Sequence, residues 1–281
     1  MKRKKTFQRV VYHVLVSIVG LFMLYPMIWM VMSSFKETNT IFTTAGQLIP
    51  GRITFDNYIN GWRGFGVGTF SIFFKNSAVI TILASIGTLL SSSLVAYSFA
   101  RCPFKGQKIL FAAMLASMML PGQILMVPQY LWYKKLGWVG SFAPLIVPYW
   151  FAIQGFFIYL MMNFIGGIPK ELDEAAQIDG CSYYSIFTRI ILPLMQPAFV
   201  TSAIFSFMWR WDDFMSALLY INKVEQYPVS LALKLFADPG SSSDYGAMFA
   251  MAILSLVPIL IIFFVFQKQL VEGVATTGIK G

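Results

Sequence analysis

Long apolar stretches alternate with short polar connections along the whole chain. Each stretch is about 20 residues long, which is the length that an α-helix needs to cross a hydrocarbon core of about 30 Å. Because lipid offers the backbone no hydrogen-bond partners, each stretch is predicted to be helical. We therefore predict an all-α, polytopic membrane protein with six spans, at residues 10–32, 74–96, 109–128, 142–162, 198–220 and 247–266.

One polar connection, residues 163–197, has the pattern of a soluble helix followed by a turn. Pro169 suits the first position of a helix, where its missing N–H costs nothing. Three acidic residues then place negative charge near the positive end of the helix dipole: Glu171, Asp173 and Glu174. Gly180 is a stop signal. The pattern predicts a helix of about three turns that begins at Pro169 and ends at Gly180.

The same predicted helix has a thin, smooth side. Ala175 and Ala176 lie next to each other, and Leu172 lies one turn earlier. Small side chains would let the groove of another protein approach the backbone closely. We interpret the segment as the place where a partner outside the bilayer drives this protein, and the alternative is a merely solvated loop.

The composition supports a membrane protein. Hydrophobic residues make up 57% of the chain and charged residues 12%, with a mean hydropathy of +0.68, whereas soluble domains carry about 25% charged residues. The net charge of +9 could suggest a nucleic-acid partner. The cations, however, neither cluster on one amphipathic face nor alternate with aromatic residues in a soluble stretch. We interpret residues 1–281 as a single transmembrane domain.

The positions of the cations predict the topology. Cations precede the first span and fill the second connection, and they are Lys2, Arg3, Lys4, Lys5, Arg9, Arg101, Lys105 and Lys108. The positive-inside rule places both groups in the cytoplasm. Six spans then return the C-terminus to that side, so both termini, the segment 163–197 and the tail 267–281 are predicted to be cytoplasmic. The basic start could also be a secretory signal, but its apolar run exceeds the 7–15 residues of a signal core, which favours an uncleaved span.

Residue patterns for catalysis are missing from the sequence. His13 is the single histidine, and nothing near it fits a Ser-His-Asp or Cys-His system. No phosphate-binding G-x-x-x-x-G-K-[ST] run is present. Cys102 and Cys181 both face the reducing cytoplasm in this topology, so neither a disulfide nor a metal site is implied. We predict a transport subunit and not an enzyme, with no cofactor of its own and with ATP and Mg bound by partner subunits.

The fifth predicted span contains ionisable residues. Arg210, Asp212 and Asp213 lie in an otherwise apolar stretch, and Arg210 and Asp213 share a helix face, so an internal ion pair is feasible. Such groups usually face a bundle interior or an aqueous cavity. Trp209 and Trp211 flank the arginine, and an aromatic ring beside a carboxylate suits a sugar. We predict a substrate pathway at Arg210, Trp211, Asp212 and Asp213, and the alternative is that these groups bind a partner subunit.

The polar segment resembles the signature of ABC-importer permeases. That signature is Glu-Ala-Ala, three residues, Gly, nine residues, then Ile-x-Leu-Pro, and the matching residues here are Glu174, Ala175, Ala176, Gly180, Ile190, Leu192 and Pro193. Further segments resemble the smaller permease subunit of the maltose-type carbohydrate importers. They are YPMIWMVMSSFK at 25–36, TFDNY at 54–58, AYSFAR at 96–101, LPGQILMVPQY at 120–130, WDDF at 211–214 and the C-terminal VEGVATTGIKG.

This resemblance implies a type I ABC importer permease fold in a bacterial cytoplasmic membrane. It also implies four kinds of partner, which are a second homologous permease, two ATP-binding-cassette ATPases, an external solute-binding protein and a carbohydrate, taken as an oligosaccharide. The helix near Glu174 would be the coupling helix, contacting an ATPase through Glu171, Glu174, Ala175, Ala176, Asp179 and Gly180. The tail would reach the ATPases through Glu272, Gly273, Gly278, Lys280 and Gly281.

Two departures from the family pattern leave the cargo open. Asp212 stands where the subfamily usually has asparagine, and Arg210 is a less usual residue before it. The same machine could carry another solute, such as glycerol phosphate, with Arg210 as an anion contact. A second alternative is an ion-coupled secondary transporter that uses Asp212 and Asp213 as proton sites. A third is an accessory assembly subunit with no pathway of its own.

Overall fold

The structure is a computed structural model that describes the backbone of residues 2–64, 68–237 and 244–278, and the side chains of 9–64, 68–237 and 244–267. Every regular element in these ranges is helical, which confirms the predicted all-α class. The α-helices are α1 Lys2–Ser33, α2 Asp56–Arg63, α3 Ser71–Arg101, α4 Gln107–Met118, α5 Gly122–Lys135, α6 Ala143–Ile146, α7 Gly155–Gly166, α8 Glu171–Ile178, α9 Tyr183–Ile186, α10 Leu192–Leu194, α11 Gln196–Trp211, α12 Phe214–Tyr220, α13 Val229–Ala232 and α14 Tyr245–Gly278.

Shorter helical turns complete the description. They are 3-10 turns at Thr38–Thr40, Val147–Phe151, Val224–Gln226 and Leu233–Ala237, and a π-helical turn at Phe187–Ile191. The chain forms two compact units. One comprises Met1–Ser71 and Ala232–Val257, and the other comprises Ile72–Leu231 and Pro258–Gly281. The single membrane domain predicted for residues 1–281 stays a prediction.

Four helical stretches in the described residues are long and apolar enough to cross a membrane. They are Arg9–Ser33, Ser71–Arg101, Ala143–Gly166 and Tyr245–Gln267, and they fall on the first, second, fourth and sixth predicted spans. Two bent pairs of helices bring the number up to six if each pair is one span. One pair, Gln107–Met118 with Gly122–Lys135, bends by 103° within the third predicted span. Pro121 lies at this break, where it has no N–H with which to continue the helix.

The fifth predicted span, 198–220, differs from the structure. The second bent pair, Tyr183–Leu194 with Gln196–Trp211, bends by 77° just before Pro197, which lies in the first turn of α11. Helix α11 then ends at Trp211 instead of continuing to residue 220. The reason is a new N-cap, since the side chain of Asp213 accepts a hydrogen bond from the N–H of Ser216 at 3.1 Å and starts α12.

Close helix packing positions the turn before α7. Gly87 on α3 is so near Trp150 that a Cβ atom added there would lie 2.5 Å from Cδ1 of that ring. One turn further along α3, the hydroxyl of Ser91 donates to the carbonyl of Tyr149 and accepts from the N–H of Ala152, both at 3.1 Å. Small residues allow this approach, as they do between other membrane helices. The contacts fix the backbone of Tyr149, whose side chain belongs to the site described below.

A buried cluster joins α3 and α7 to the polar segment 163–197. Its members include Tyr97 from α3, Ile158, Met161 and Ile165 from α7, and Ala176, Ile186 and Phe187 from the polar segment. The segment is therefore packed into the second unit and is not a freely solvated loop.

The first unit contains a polar junction in the connection after α1. The side-chain amide of Asn57 donates to the carbonyls of Ser34 and Lys36, both at 2.7 Å. Thr38 donates to the carboxylate of Asp244 at 2.9 Å, just before α14. The buried ammonium of Lys36 donates to two carbonyls in the segment 44–47. These bonds hold the long connection in a defined shape.

Candidate functional site

Helix α8 is the predicted coupling helix, and it is shorter than predicted. It has eight residues, or about two turns, because it begins at Glu171 and leaves Pro169 outside. The acidic residues do lie in its first turn, at the positive end of the dipole.

Gly180 ends this helix as predicted. Its φ of +78° is in the left-handed region, where residues with a Cβ are disfavoured. The N–H of Cys181 bonds to the carbonyl of Ala176 at 2.9 Å, and the N–H of Gly180 bonds to that of Gln177 at 3.0 Å. Together these two bonds form a Schellman motif, which satisfies carbonyls that the helix end would leave unpaired.

The two faces of α8 have different surroundings. Asp173 and Ala176 are buried, whereas five of the six predicted ATPase contacts are exposed, namely Glu171, Glu174, Ala175, Asp179 and Gly180. Ala176 is the exception, since it packs into the core described above. Its predicted role in a contact with a partner therefore needs correction. The cause is helix geometry, because Ala176 lies three residues after Asp173 and shares the inward face with it.

Ile178 is a candidate residue of this surface that the sequence analysis missed. It is 86% exposed and lies on the outward face of α8 with Glu171, Glu174 and Ala175. These four residues have the i, i+3, i+4, i+7 spacing of one helix face, so the spacing could have identified it. The exposed rings of Tyr183 and Tyr184 follow just after the turn. The outer side of the segment thus combines acidic and apolar groups.

Arg101, the last residue of α3, makes the central contact behind α8. Its Nε lies 2.8 Å from Oδ2 of Asp173, and only 4% of the arginine side chain and 10% of the aspartate side chain are exposed. Its Nη2 donates to the carbonyls of Ile165 and Ile168, near the end of α7. The sequence analysis used Arg101 for topology and as part of the AYSFAR segment, and Asp173 for the helix dipole. It did not pair them, because no sequence spacing links two residues so far apart.

A free thiol lies beside this pair. Cys102 is partly buried, and burial raises the pKa of its thiol, with a smaller contribution in the same direction from the Asp173 carboxylate. A raised thiol pKa means less thiolate at a given pH, and therefore a less reactive cysteine.

The ion pair predicted between Arg210 and Asp213 is present in the structure. Nη1 of Arg210 lies 3.1 Å from Oδ2 of Asp213. The guanidinium also bonds to the hydroxyl of Tyr149 and lies 4.4 Å from the centroid of that ring. Arg210 is thus neutralised and stacked within the protein.

The other two predicted pathway residues lie in different surroundings. Trp211 is 4% exposed and packs on Phe207 and Phe74, with ring centroids at 5.5 and 6.2 Å. Asp212, at the end of α11, is exposed. Trp209 is 41% exposed. In this conformation Asp212 and Trp209 offer polar and aromatic surface, whereas Trp211 does not.

A small cavity adjoins the ion pair. Its lining includes Ser77 and Thr81 of α3 together with Arg210 and Asp213, and its volume is about 10 Å³. A single water needs at least about 10–15 Å³ measured in this way. The cavity is therefore closed to a sugar in this conformation.

The predicted tail contacts are only partly within the described residues. The backbone of α14 continues through Gly278, so Glu272, Gly273 and Gly278 belong to the same helix as the sixth span. Lys280 and Gly281 lie outside the described residues. Within the part of the chain that the structure describes, no group of three or more His, Cys, Asp or Glu residues could hold a metal ion.

Comparison with known proteins matches residues 87–276 to the family "Binding-protein-dependent transport system inner membrane component". The chain is 35% identical over 257 residues to the "Probable ABC transporter permease protein YurM" of Bacillus subtilis, covering 92% of this chain and 84% of that protein. It is 31% identical over 281 residues to the trehalose/maltose transport system permease protein MalG of Thermococcus litoralis, covering 99% of each.

A solved structure shares the fold. It is a bacterial ABC transporter involved in the import of the acidic polysaccharide alginate, and one of its chains matches with a TM-score of 0.83 and 23% identity. The match covers 95% of this chain and 97% of that chain.

Proposed function

Because the chain belongs to the family of inner membrane components of binding-protein-dependent transport systems, we propose that it forms half of the translocation pathway of an ATP-driven sugar importer. It is a permease subunit of an ABC transporter, and it is not an enzyme. In the proposed complex it pairs with a second, homologous permease. Two partner ATPases bind ATP and Mg, and an external solute-binding protein delivers the sugar.

The outward face of α8 is the observation that carries this proposal. The helix is anchored on its inner side by Asp173 and Ala176, while its outer side leaves Glu174 and Ile178 open. A surface that is rigid, partly apolar and acidic suits insertion into a cleft with basic residues. ATP binding would close the ATPases and move α8, which would switch the pathway between its two orientations.

The exposed surface of α1 supports the pairing with a second permease. In the most apolar 18 residues of the stretch Arg9–Ser33, no residue is buried by the rest of the chain. A helix that is apolar on all sides belongs in contact with lipid or with other membrane helices. We propose that both termini and α8 are cytoplasmic, which is supported by the cations before the first span and after the second.

A carbohydrate is the proposed cargo, with an oligosaccharide as the more specific proposal. Support comes from the full-length similarity to a permease that is named for trehalose and maltose transport. The ion pair argues against a phosphorylated solute, because Arg210 already has Asp213 as its counter-ion. A proton site at Asp213 is disfavoured for the same reason. We place the open surface of Asp212 and Trp209 in the pathway, and the partner subunits determine most of the specificity.

Reconstitution of the complex tests this function. The complex is purified with its external binding protein, the ligand that this protein retains is identified by mass spectrometry, and uptake of maltose and trehalose into proteoliposomes is measured with and without ATP. We expect a bound sugar and uptake that requires ATP. Uptake driven by an ion gradient in the absence of ATP would contradict the proposal.

A variant tests the role of α8. Ile178→Ser removes an apolar contact worth about 1.5–3 kcal/mol when it is buried, so binding of the ATPases should weaken about 10–150-fold. Ile49→Ser is the matched control, because Ile49 is also highly exposed, at 77%, and lies in the other unit. Equal ATPase binding by the two variants would reject α8 as the docking helix.

A further inference from the structure

We propose that Arg101 is a positioning residue for energy coupling, which holds α8, the end of α3 and the end of α7 together so that they move as one body. This inference rests on the proposed function, because it assigns a path to a movement that begins at α8. Arg101 is the last residue of the AYSFAR segment and lies outside the Glu-Ala-Ala signature, and Asp173 lies just before that signature.

The burial of the pair gives the contact its strength. Arg101 and Asp173 are almost fully removed from solvent, with 4% and 10% of their side chains exposed. The pair between Arg52 and Glu37 differs, since 82% and 50% of those side chains are exposed. Exposed pairs contribute little, whereas loss of one partner from a buried pair leaves a charge without compensation. Separation of Arg101 from Asp173 is therefore costly, and the two move together.

The guanidinium also joins a third element. Helix α7 ends at Gly166, and the last carbonyls of a helix have no partner inside it. Nη2 of Arg101 donates to the carbonyl of Ile165 at 3.1 Å and to that of Ile168, while Nε faces Asp173. To contact the carbonyls and the carboxylate at once, the side chain needs a planar group with several donors in fixed directions, so lysine is not an equivalent residue.

Helix α8 depends on such an anchor because it is short. An isolated helix of eight residues is not stable in water, so its order must come from tertiary contacts. The inner face supplies two contacts, the apolar contact of Ala176 with the core and the ionic contact of Asp173 with Arg101. Without Arg101, a force applied to the outer face would tilt α8 instead of moving α3.

Helix α3 leads from this anchor to the intramembrane site. It has 31 residues and no proline, so it extends over about 45 Å as one rigid element. Ser77 and Thr81 near its other end line the small cavity beside Arg210 and Asp213. A displacement at Arg101 therefore reaches the wall of that cavity through a single helix.

The test uses the full complex in nanodiscs and proteoliposomes. Arg101→Gln and Asp173→Asn should retain bound ATPases and ATP hydrolysis, while the sugar transported per ATP hydrolysed falls at least tenfold. The double variant should be no worse than either single variant, because both remove the same contact. Arg101→Lys should be intermediate, since lysine keeps the charge but loses the fork. The matched control is Arg189→Gln, which changes an exposed arginine of the same segment and should not alter the ratio.

A distance measurement separates positioning from general stability. Spin labels at Gln177 on α8 and Leu94 on α3, both exposed, are introduced into a variant without native cysteines. If α8 and α3 move as one body, the distribution of distances between the two labels should stay narrow and keep its centre when ATP is added. With Arg101→Gln or Arg101→Lys, this distance should broaden when ATP binds.

The outcomes distinguish this inference from the proposed function. If Ile178→Ser does not weaken ATPase binding, α8 is not the docking helix and that part of the proposed function fails. If Ile178→Ser does weaken binding while Arg101→Gln changes neither the transport ratio nor the label distance, only the role of Arg101 is overturned. Loss of bound ATPases from both Arg101 variants would also overturn it, because Arg101 would then determine docking and not the transfer of movement.

Discussion

Gly180 could be needed for either of two reasons, the backbone conformation of the turn after α8 or a smooth surface without a side chain, and substitutions at this position distinguish them. A Cβ atom at this position would meet nothing within 4 Å, so a side chain has room. The φ of +78° is the obstacle, because the left-handed conformation costs a residue with a Cβ about 1–2 kcal/mol. Asparagine tolerates this conformation best after glycine. Gly180→Val should therefore be harmful, and Gly180→Asn should be mild although asparagine is the more polar residue.

The cost converts to a measurable change in binding. About 1–2 kcal/mol is a factor of about 5–30 in the population of the turned state. The dissociation constant of the ATPases for the permease pair in nanodiscs should increase by up to this factor for Gly180→Val. For Gly180→Asn it should stay within about threefold of the natural protein, since asparagine at a helix end often adopts this conformation.

A second glycine provides the control. Gly106 before α4 has a φ of +85° and also has nothing within 4 Å of an added Cβ, so Gly106→Val introduces the same strain away from α8. It should leave ATPase binding unchanged. Equal weakening by Gly180→Val and Gly180→Asn would refute the argument from the turn and indicate a surface contact. Full binding by Gly180→Val would show that docking does not need the turn.

Three further predictions concern packing, charge and reactivity. Gly87→Ala should lower the thermal midpoint of the purified complex, because the Cβ would be 2.5 Å from a tryptophan ring and overpacking costs about 1–3 kcal/mol; Gly20→Ala, with nothing within 4 Å, should not. Arg210→Met and Asp213→Asn should each destabilise by about 3–5 kcal/mol, and a double variant that proves additive would contradict the ion pair. Maleimide labelling of Cys102 should still accelerate above about pH 9.5, where an ordinary thiol is almost fully ionised and its labelling rate levels off, because burial raises the pKa of Cys102. The urea-unfolded chain is the control, and equal profiles would contradict the burial.

The sequence by itself determined the class of protein and the end of α8. Apolar stretches of membrane-spanning length leave few choices, because backbone groups in lipid must bond within the same helix. The turn at Gly180 was equally predictable, since few residues adopt its conformation and the acidic residues precede it at a local spacing. The ion pair of Arg210 and Asp213 also follows from local spacing. Each of these features depends on interactions within a few residues along the chain.

Only the tertiary structure decided which groups meet across the chain. The sequence assigned Ala176 to a partner surface and Trp211 to the pathway, whereas the structure buries both. In the structure the predicted fifth span is divided into two helices, because Asp213 caps a new helix. The ion pair of Asp173 with Arg101 forms because α8 packs against α3 and α7. Helical periodicity shows which residues share a face, but the direction of that face depends on contacts with elements that are distant in sequence, and these contacts leave no local pattern.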